Sequence, residues 1–485
     1  MSVLRRGILA SAADRYASQA LSIATLAVMS RLLTPAEIGL FVVANAVILL
    51  ADNFRAFGTG TYIVQAPELT PEILRSAFTV TFVFSAGIFC ALVAMSGPIA
   101  VFYGEAEMGG LLRLAATGFL LIPFVTPQVA LLQREMRFRR LAVLNVGAAA
   151  CNFAVTIALG AQGYGPASYV WGSLASSAML TILVLAMRPQ PGLFRPCFRQ
   201  ARPILSFGTV TTGVTLVNLV YELLPRLAFA RLLSFEAVGL YARAVTLCQL
   251  PERTVTSALQ PVVLPALAAR ARAGGDLKEG YLRGHALMSG VQWPMLAMLA
   301  LLAEPAVRIL LGPQWVEAAP LVRLMALGLM TLAPAFMTFP VLIAAGRVRD
   351  GLWASLISLP PSMLLMIGAG TIGLEAVAAS TLVVAPLQMG VALVFVRRAI
   401  GLTWRDMARA SRDSLALALG TALIPGLILA ASPEGSSLGW VRTAAAVAGG
   451  AAGWAVMLAI LRHPIGTEGA AILRMMLPAR GVRRA

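Results

Sequence analysis

The chain is a succession of apolar stretches, each about as long as a bilayer is thick, joined by short connections that carry arginine on alternate sides. A spanning helix needs about 20 predominantly apolar residues. Fourteen stretches meet that length, at about 7–30, 36–57, 76–99, 111–133, 140–160, 165–187, 204–230, 236–268, 284–303, 318–345, 352–371, 376–396, 414–431 and 438–461. Of the 485 residues, 59% are apolar and 12% charged, against about 25% charged in a soluble domain. An ordinary soluble enzyme, a disordered chain and a fibrous repeat are excluded. Pro251, Pro261 and Pro265 predict a bent or broken eighth segment.

The net charge of +17 could suggest nucleic acid, but no basic, aromatic-bearing soluble region exists to bind one. It reads instead as topology. With the N-terminus in the cytoplasm and sides alternating, the inner segments hold 28 basic residues and the outer side six: Arg31, Arg113, Arg231, Arg308, Arg323 and Arg442. That asymmetry obeys the positive-inside rule and places both termini in the cytoplasm. Arg5 and Arg6 imitate a signal peptide, yet Asp14 and Arg15 follow too soon for a cleavable one, so a retained first helix is expected. The stretch 399–413, with Trp404, Arg405, Arg409 and Arg412, is readable as an interfacial helix or as a solvated basic loop.

An internal repeat organises the chain. RLLTPAEIGLF from Arg31 matches RLLSFEAVGLY from Arg231 at an offset of 200 residues. LLRLAATGF from Leu111 matches LVRLMALGL from Leu321 at an offset of 210, where Arg137 and Arg139 also meet Arg347 and Arg349. The order, offset and membrane side agree. They predict two parallel lobes of six helices, residues 1–203 and 204–398, around a central cavity, then 399–485 with the interfacial segment, helices 13 and 14 and a basic cytoplasmic tail. The fold class is all-α, a polytopic membrane protein.

Polar residues form stripes inside the first and seventh spans. Ser11, Arg15, Ser18, Ser22 and Thr25 recur at helical spacing, as do Thr211, Thr215, Asn218 and Glu222, in the same register 200 residues on. Such faces turn toward protein or a wet cavity, either as packing surfaces or as a lining. Charges at membrane depth point to function by default. Asp14, Arg15, Asp52, Glu222, Arg226, Arg243, Glu252 and Arg253 fall in or near spans. Arg15 could pair with Asp52 low in the first half, and Glu222 with Arg243 high in the second; both could be structural salt bridges.

Catalytic signatures are missing. Cys90, Cys151, Cys197 and Cys248 form no CxxC pair, and His285 and His463 lie far apart in sequence, so no metal centre is expected. No Walker A, GxSxG or HExxH motif occurs, and the loops are too short to house an enzyme domain.

The segment SRLLTPAEIGLFVVANAVILLADNFRAFGTGTYIVQ (Ser30–Gln65), with LLQREMRFRRLAV (Leu131–Val143) and LLGPQWVEAAPLVRLMAL (Leu310–Leu327), resembles the polysaccharide transporter family, the Wzx-type flippases and their WzxC-like branch, within the multidrug/oligosaccharidyl-lipid/polysaccharide exporter superfamily. The resemblance implies two six-helix lobes in a V, with two added helices. It implies a non-enzymatic flippase or exporter in the bacterial inner membrane, moving an undecaprenyl-pyrophosphate-linked oligosaccharide outward. Its partners would be that lipid-linked oligosaccharide, membrane lipid, and the polymerase and chain-length regulator of the same pathway, with no cofactor other than a coupling ion. On this reading Arg15, Arg55, Arg226, Arg243, Ser18 and Asn218 line the cavity, and Asp14, Asp52, Glu222, Glu252 and Arg253 are charge partners or gate residues. Arginine suits a pyrophosphate because its planar fork binds phosphate oxygens in pairs. The alternatives are an ion-coupled multidrug-type exporter of the same superfamily and, from another class, a membrane glycosyltransferase or polymerase.

Overall fold

In lipid a backbone must satisfy its own polar groups, and an apolar run does so as a helix. The computed structural model describes residues 2–56, 58–187, 190–273, 275–431, 439–461 and 463–466, and among them every regular element is helical. The helices are α1 (Ser2–Leu32), α2 (Pro35–Ala56), α3 (Thr59–Gln65), α4 (Pro71–Tyr103), α5 (Ala106–Gly118), α6 (Ile122–Arg134), α7 (Phe138–Ala161), α8 (Ala167–Met187) and α9 (Ala201–Leu232). They continue with α10 (Phe235–Arg272), α11 (Leu277–Leu301), α12 (Ala303–Leu310), α13 (Ala318–Met330), α14 (Thr338–Ala344), α15 (Val348–Gly370), α16 (Leu374–Ile400), α17 (Trp404–Ala430) and α18 (Trp440–Leu461).

Eight of these are long and apolar enough to cross a membrane, or eleven if each of three bent pairs counts as one crossing. The bends are 48° between α5 and α6, 88° between α11 and α12, and 54° where α13 leads through a 3-10 turn into α14. The other long helices, α1, α9 and α10, carry the ionisable residues expected at membrane depth. With them, each of the fourteen expected stretches is a helix or a bent pair. The eighth stretch is not broken: α10 runs on through Pro251, Pro261 and Pro265, as membrane helices allow when neighbours or side chains cover the freed carbonyls. Residues 399–413 divide into the end of α16, a left-handed Gly401 and the first turns of α17. The Thr403–Asp406 capping box starts α17 there, so those arginines belong to a spanning helix.

The repeat is visible in the irregularities. Thr34 caps α2, accepting from the Glu37 N–H at 3.3 Å, and Ser234 caps α10, accepting from the Ala237 N–H at 3.1 Å. Each lobe bends its fourth span. After α6 the chain turns at Met136 (φ 53°) and closes with the Arg137 N–H on the Leu132 carbonyl at 2.9 Å. After α14 it turns at Gly346 (φ 72°) and closes with the Arg347 N–H on the Leu342 carbonyl at 2.8 Å. These positions stand 210 residues apart, the offset of the sequence match.

The described chain forms two compact units, Met1–Leu240 and Tyr241–Ala485. In the first, α7 packs on α1 and α8, and α4 on α5 and α6. Phe78, Phe124 and Phe194 cluster with centroids 5.2–5.6 Å apart beneath the short α3. The sequence reading missed α3. Its C-terminal carbonyls are gathered by Arg134, which donates to Ile63 (3.0 Å), Val64 (3.3 Å), Ala66 and Pro67 (3.2 Å). One arginine thereby supplies the donors that the helix end lacks.

In the second unit α11 packs on α13 and α17, and α17 on α18. The bend after α13 frees backbone carbonyls, and α11 answers them. Trp293 Nε1 donates to Met330 O at 2.7 Å, and the Tyr281 hydroxyl donates to Pro334 O at 2.9 Å.

Candidate functional site

The polar stripe of α1 presents Asp14, Arg15 and Ser18 within two turns. The Ser18 hydroxyl donates to Asp14 Oδ1 at 3.4 Å, and Asn145 of α7 donates its amide to Asp14 Oδ2 at 2.8 Å. Arg15 is exposed, as is Ser22, while Thr25 turns back onto the Leu21 carbonyl at 2.8 Å.

On α2, Arg55 Nε donates to Asp52 Oδ1 at 2.7 Å. The Arg55 side chain is 10% exposed and that of Asp52 39%. The expected cross-helix partner for Asp52 was Arg15, but residues three apart share a helix face and pair without fixing a second helix. Glu222 likewise pairs with Arg226 one turn on, at 3.3 Å. Burying either base with its carboxylate avoids the cost of a lone buried charge. The side chain of Asn218, like those of Ser11, Thr211 and Thr215, lies outside the described residues.

In the second unit Arg243 is buried, its guanidinium 5.7 Å from the centroid of the fully buried Trp315 ring. That contact favours a cation through the ring quadrupole. Glu252 is half-buried, and Arg253 is exposed and donates to Gln249 Oε1 at 2.8 Å.

Two features escaped the sequence reading. The first is a buried hydrogen-bonded chain around the protein's two histidines. Ser411 bonds His285 Nε2 at 3.0 Å. Ser289 donates to Ser414 at 2.8 Å, and Ser414 meets His463 Nε2 at 3.3 Å. The histidines were expected to share no site because they lie 178 positions apart in sequence. The packing of α11 on α17 and the turn after α18 bring them together, the link being the Ser289 hydroxyl, 2.7 Å from the His285 backbone carbonyl. It ties α17 and the turn after α18 to α11 within the second unit. Among the described residues no group of three His, Cys, Asp or Glu could hold a metal.

The second feature is a cavity of about 540 Å³ in the second unit. Its walls come from α10, α11, α12, α17 and α18, with Leu247, Pro251, Met298, Leu302, Val447 and Trp454 among them. Among the described residues Thr421 and Thr443 are its only hydroxyl-bearing ones, and the Thr421 hydroxyl donates to the Leu417 carbonyl at 2.8 Å. A cavity of this composition takes hydrocarbon.

Apolar helices of spanning length in this number define a multi-pass membrane protein. The fold agrees. It matches the lipid II flippase MurJ in an inward closed conformation over 93% of this chain and 98% of that one, with a TM-score of 0.76 and 13% identity. It also matches an inward-facing multidrug resistance MATE family transporter over 81% of this chain and 95% of that one, with a TM-score of 0.62 and 15% identity. Residues 28–320 match the family described as polysaccharide biosynthesis protein, and the chain belongs to that family. It is 26% identical to the succinoglycan biosynthesis transport protein ExoT of Rhizobium meliloti over 70% of this chain and 68% of that one. It is 22% identical to the lipopolysaccharide biosynthesis protein WzxC of Escherichia coli over 63% of this chain and 62% of that one. The alignment with WzxC thus spans less than two thirds of that relative's length.

Proposed function

We propose that the protein is a flippase of the bacterial inner membrane that carries an undecaprenyl-pyrophosphate-linked oligosaccharide, the repeat unit of a surface polysaccharide, from the inner to the outer leaflet by alternating access. Both termini lie in the cytoplasm, as the arginine distribution requires. The observation that carries the reading is the coexistence of arginines on the long helices α1, α2, α9 and α10 with a cavity walled by apolar side chains. A passenger that needs both is an anion on a long apolar chain. Arg15 and Arg55 serve the diphosphate from the cytoplasmic side, and Arg226 and Arg243 on the opposite side. The apolar cavity takes part of the polyprenyl chain. A cytoplasm-negative potential favours outward movement of an anion by about 2.3 kcal/mol per charge per 100 mV. Family membership and the named relatives support polysaccharide export over the export of drugs. The pathway's polymerase and chain-length regulator would act on the delivered unit.

The test is leaflet accessibility of a fluorescent lipid-linked oligosaccharide in proteoliposomes, followed with a membrane-impermeant quencher. Transfer should exceed that of protein-free vesicles and quicken when the potential drives an anion across. A rate equal to that of empty vesicles would end the proposal.

A further inference from the structure

We propose that a second pocket, inside the first unit, holds one uncharged sugar residue of the passenger; the proposal rests on the flippase reading. The pocket has a volume of about 340 Å³, in the range of small-molecule sites. It lies among α2, α8 and the turn between α5 and α6. Phe41, Asn45 and Asp52 come from α2 at helical spacing, and Ser173 and Ser177 from consecutive turns of α8.

At the bend that lines the pocket the two repeats differ. A methyl group on Gly118, at the bend, would meet only Leu174 Cδ1, at 3.9 Å. Its counterpart Gly328, 210 residues on, packs so closely on Thr381 that a methyl there would come within 2.8 Å of the Thr381 carbonyl. The same bend is closed in one unit and open in the other. Asn45 also has an apolar counterpart, Val245, at the offset of 200.

The wall chemistry selects the ligand. Ser173 donates to the Val170 carbonyl and Ser177 to the Ser173 carbonyl, each at 3.0 Å, which leaves both oxygens as acceptors. The Asn45 amide can give and receive. The Asp52 charge is offset by Arg55 at 2.7 Å, so the wall carries little net charge. The Phe41 ring, stacked on Tyr169 with centroids 4.4 Å apart, adds an apolar face. A bare cation would find its carboxylate already neutralised and most of the space unfilled. A diphosphate would meet acceptors where it needs donors. A neutral pyranose has what the wall complements: hydroxyls to donate, one hydroxyl oxygen to accept from an amide, and a C–H face for an aromatic ring.

Ser177→Leu and Asn45→Leu fill the pocket and delete its polar atoms. In proteoliposomes two probes separate the possibilities: polyprenyl diphosphate bearing one oligosaccharide repeat unit, and the same lipid with no sugar. Transfer of the glycosylated lipid should fall about tenfold in either variant, as losing one or two hydrogen bonds implies. The sugar-free lipid should move equally in variants and wild type. Equal losses for both lipids, or no loss for either, would overturn the sugar site. Should the wild type move neither lipid, the flippase reading fails by itself. Saturation-transfer NMR of the purified protein with methyl α-galactopyranoside and methyl α-glucopyranoside then decides the pocket. A signal abolished by Ser177→Leu upholds it, and silence from both glycosides overturns it.

Discussion

Gly39 and Gly239, equivalent positions in the repeat, lie back to back within the first unit. A methyl group on Gly39 would stand 3.0 Å from the Gly239 nitrogen, and one on Gly239 would stand 3.2 Å from the Gly39 nitrogen. Each would also overlap a carbonyl, that of Phe235 in the first case and of Pro35 in the second. The contact is reciprocal: each glycine faces the backbone nitrogen of the other. Only a residue without a Cβ lets two helix starts approach so closely.

Gly39→Ala and Gly239→Ala should therefore each lower stability by about 1–3 kcal/mol through overpacking. The double variant should cost less than the sum, because the first substitution already parts the helices. Thermal unfolding of the purified protein in detergent checks this. Wild-type melting in both single variants would mean that the contact is dispensable.

Arg15→Ala and Arg243→Ala should reduce export of the lipid-linked passenger about tenfold or more, the loss expected on removing a charge-assisted hydrogen bond. Protein levels should not change. Quantifying surface polysaccharide in a strain relying on the variant, beside a blot of the membrane fraction, gives the answer. Normal export from both variants would remove these arginines from the mechanism.

Tyr281→Phe keeps its ring and Trp293→Phe keeps an aromatic side chain of smaller size, and each strips the donor from a carbonyl, Pro334 and Met330 respectively, at the bend after α13. Each variant should lose about 1–3 kcal/mol, the cost of a buried unsatisfied group. Greater proteolysis after α13 should accompany the lower melting temperature. A neutral result in both would show that the bend is held without them.

Cys197 reports orientation. Its thiol is held below its ordinary pKa by the Ser76 hydroxyl and then by the Arg199 backbone N–H. The thiolate is the reacting form, so labelling should set in at lower pH than for a free thiol and fade below the lowered pKa. A membrane-impermeant maleimide should label Cys197 in inverted vesicles and spare it in intact spheroplasts. The reverse pattern would turn the topology over.

The sequence by itself determined that the long apolar stretches are helices, the asymmetry of the basic residues and the repeat. Each of these rests on apolar length, charge or self-similarity along one dimension, and lipid leaves an apolar run little choice but a helix. Pro123 and Pro334 stand beside the bends after Gly118 and Met330, yet α10 runs unbroken through three prolines, so proline alone does not say which helix bends. The pairing of charges was also beyond reach. Asp52 had two basic residues within range, and only the packed helix shows that Arg55 holds it. Tertiary structure alone linked the His285 carbonyl to the His463 ring through Ser289 and Ser414 and set Ser411 against the His285 ring. It alone opened the pocket beside Gly118 while closing its twin at Gly328. Such contacts depend on how three or more helices pack, and a linear pattern records which face of a helix is polar, not which neighbour comes to meet it.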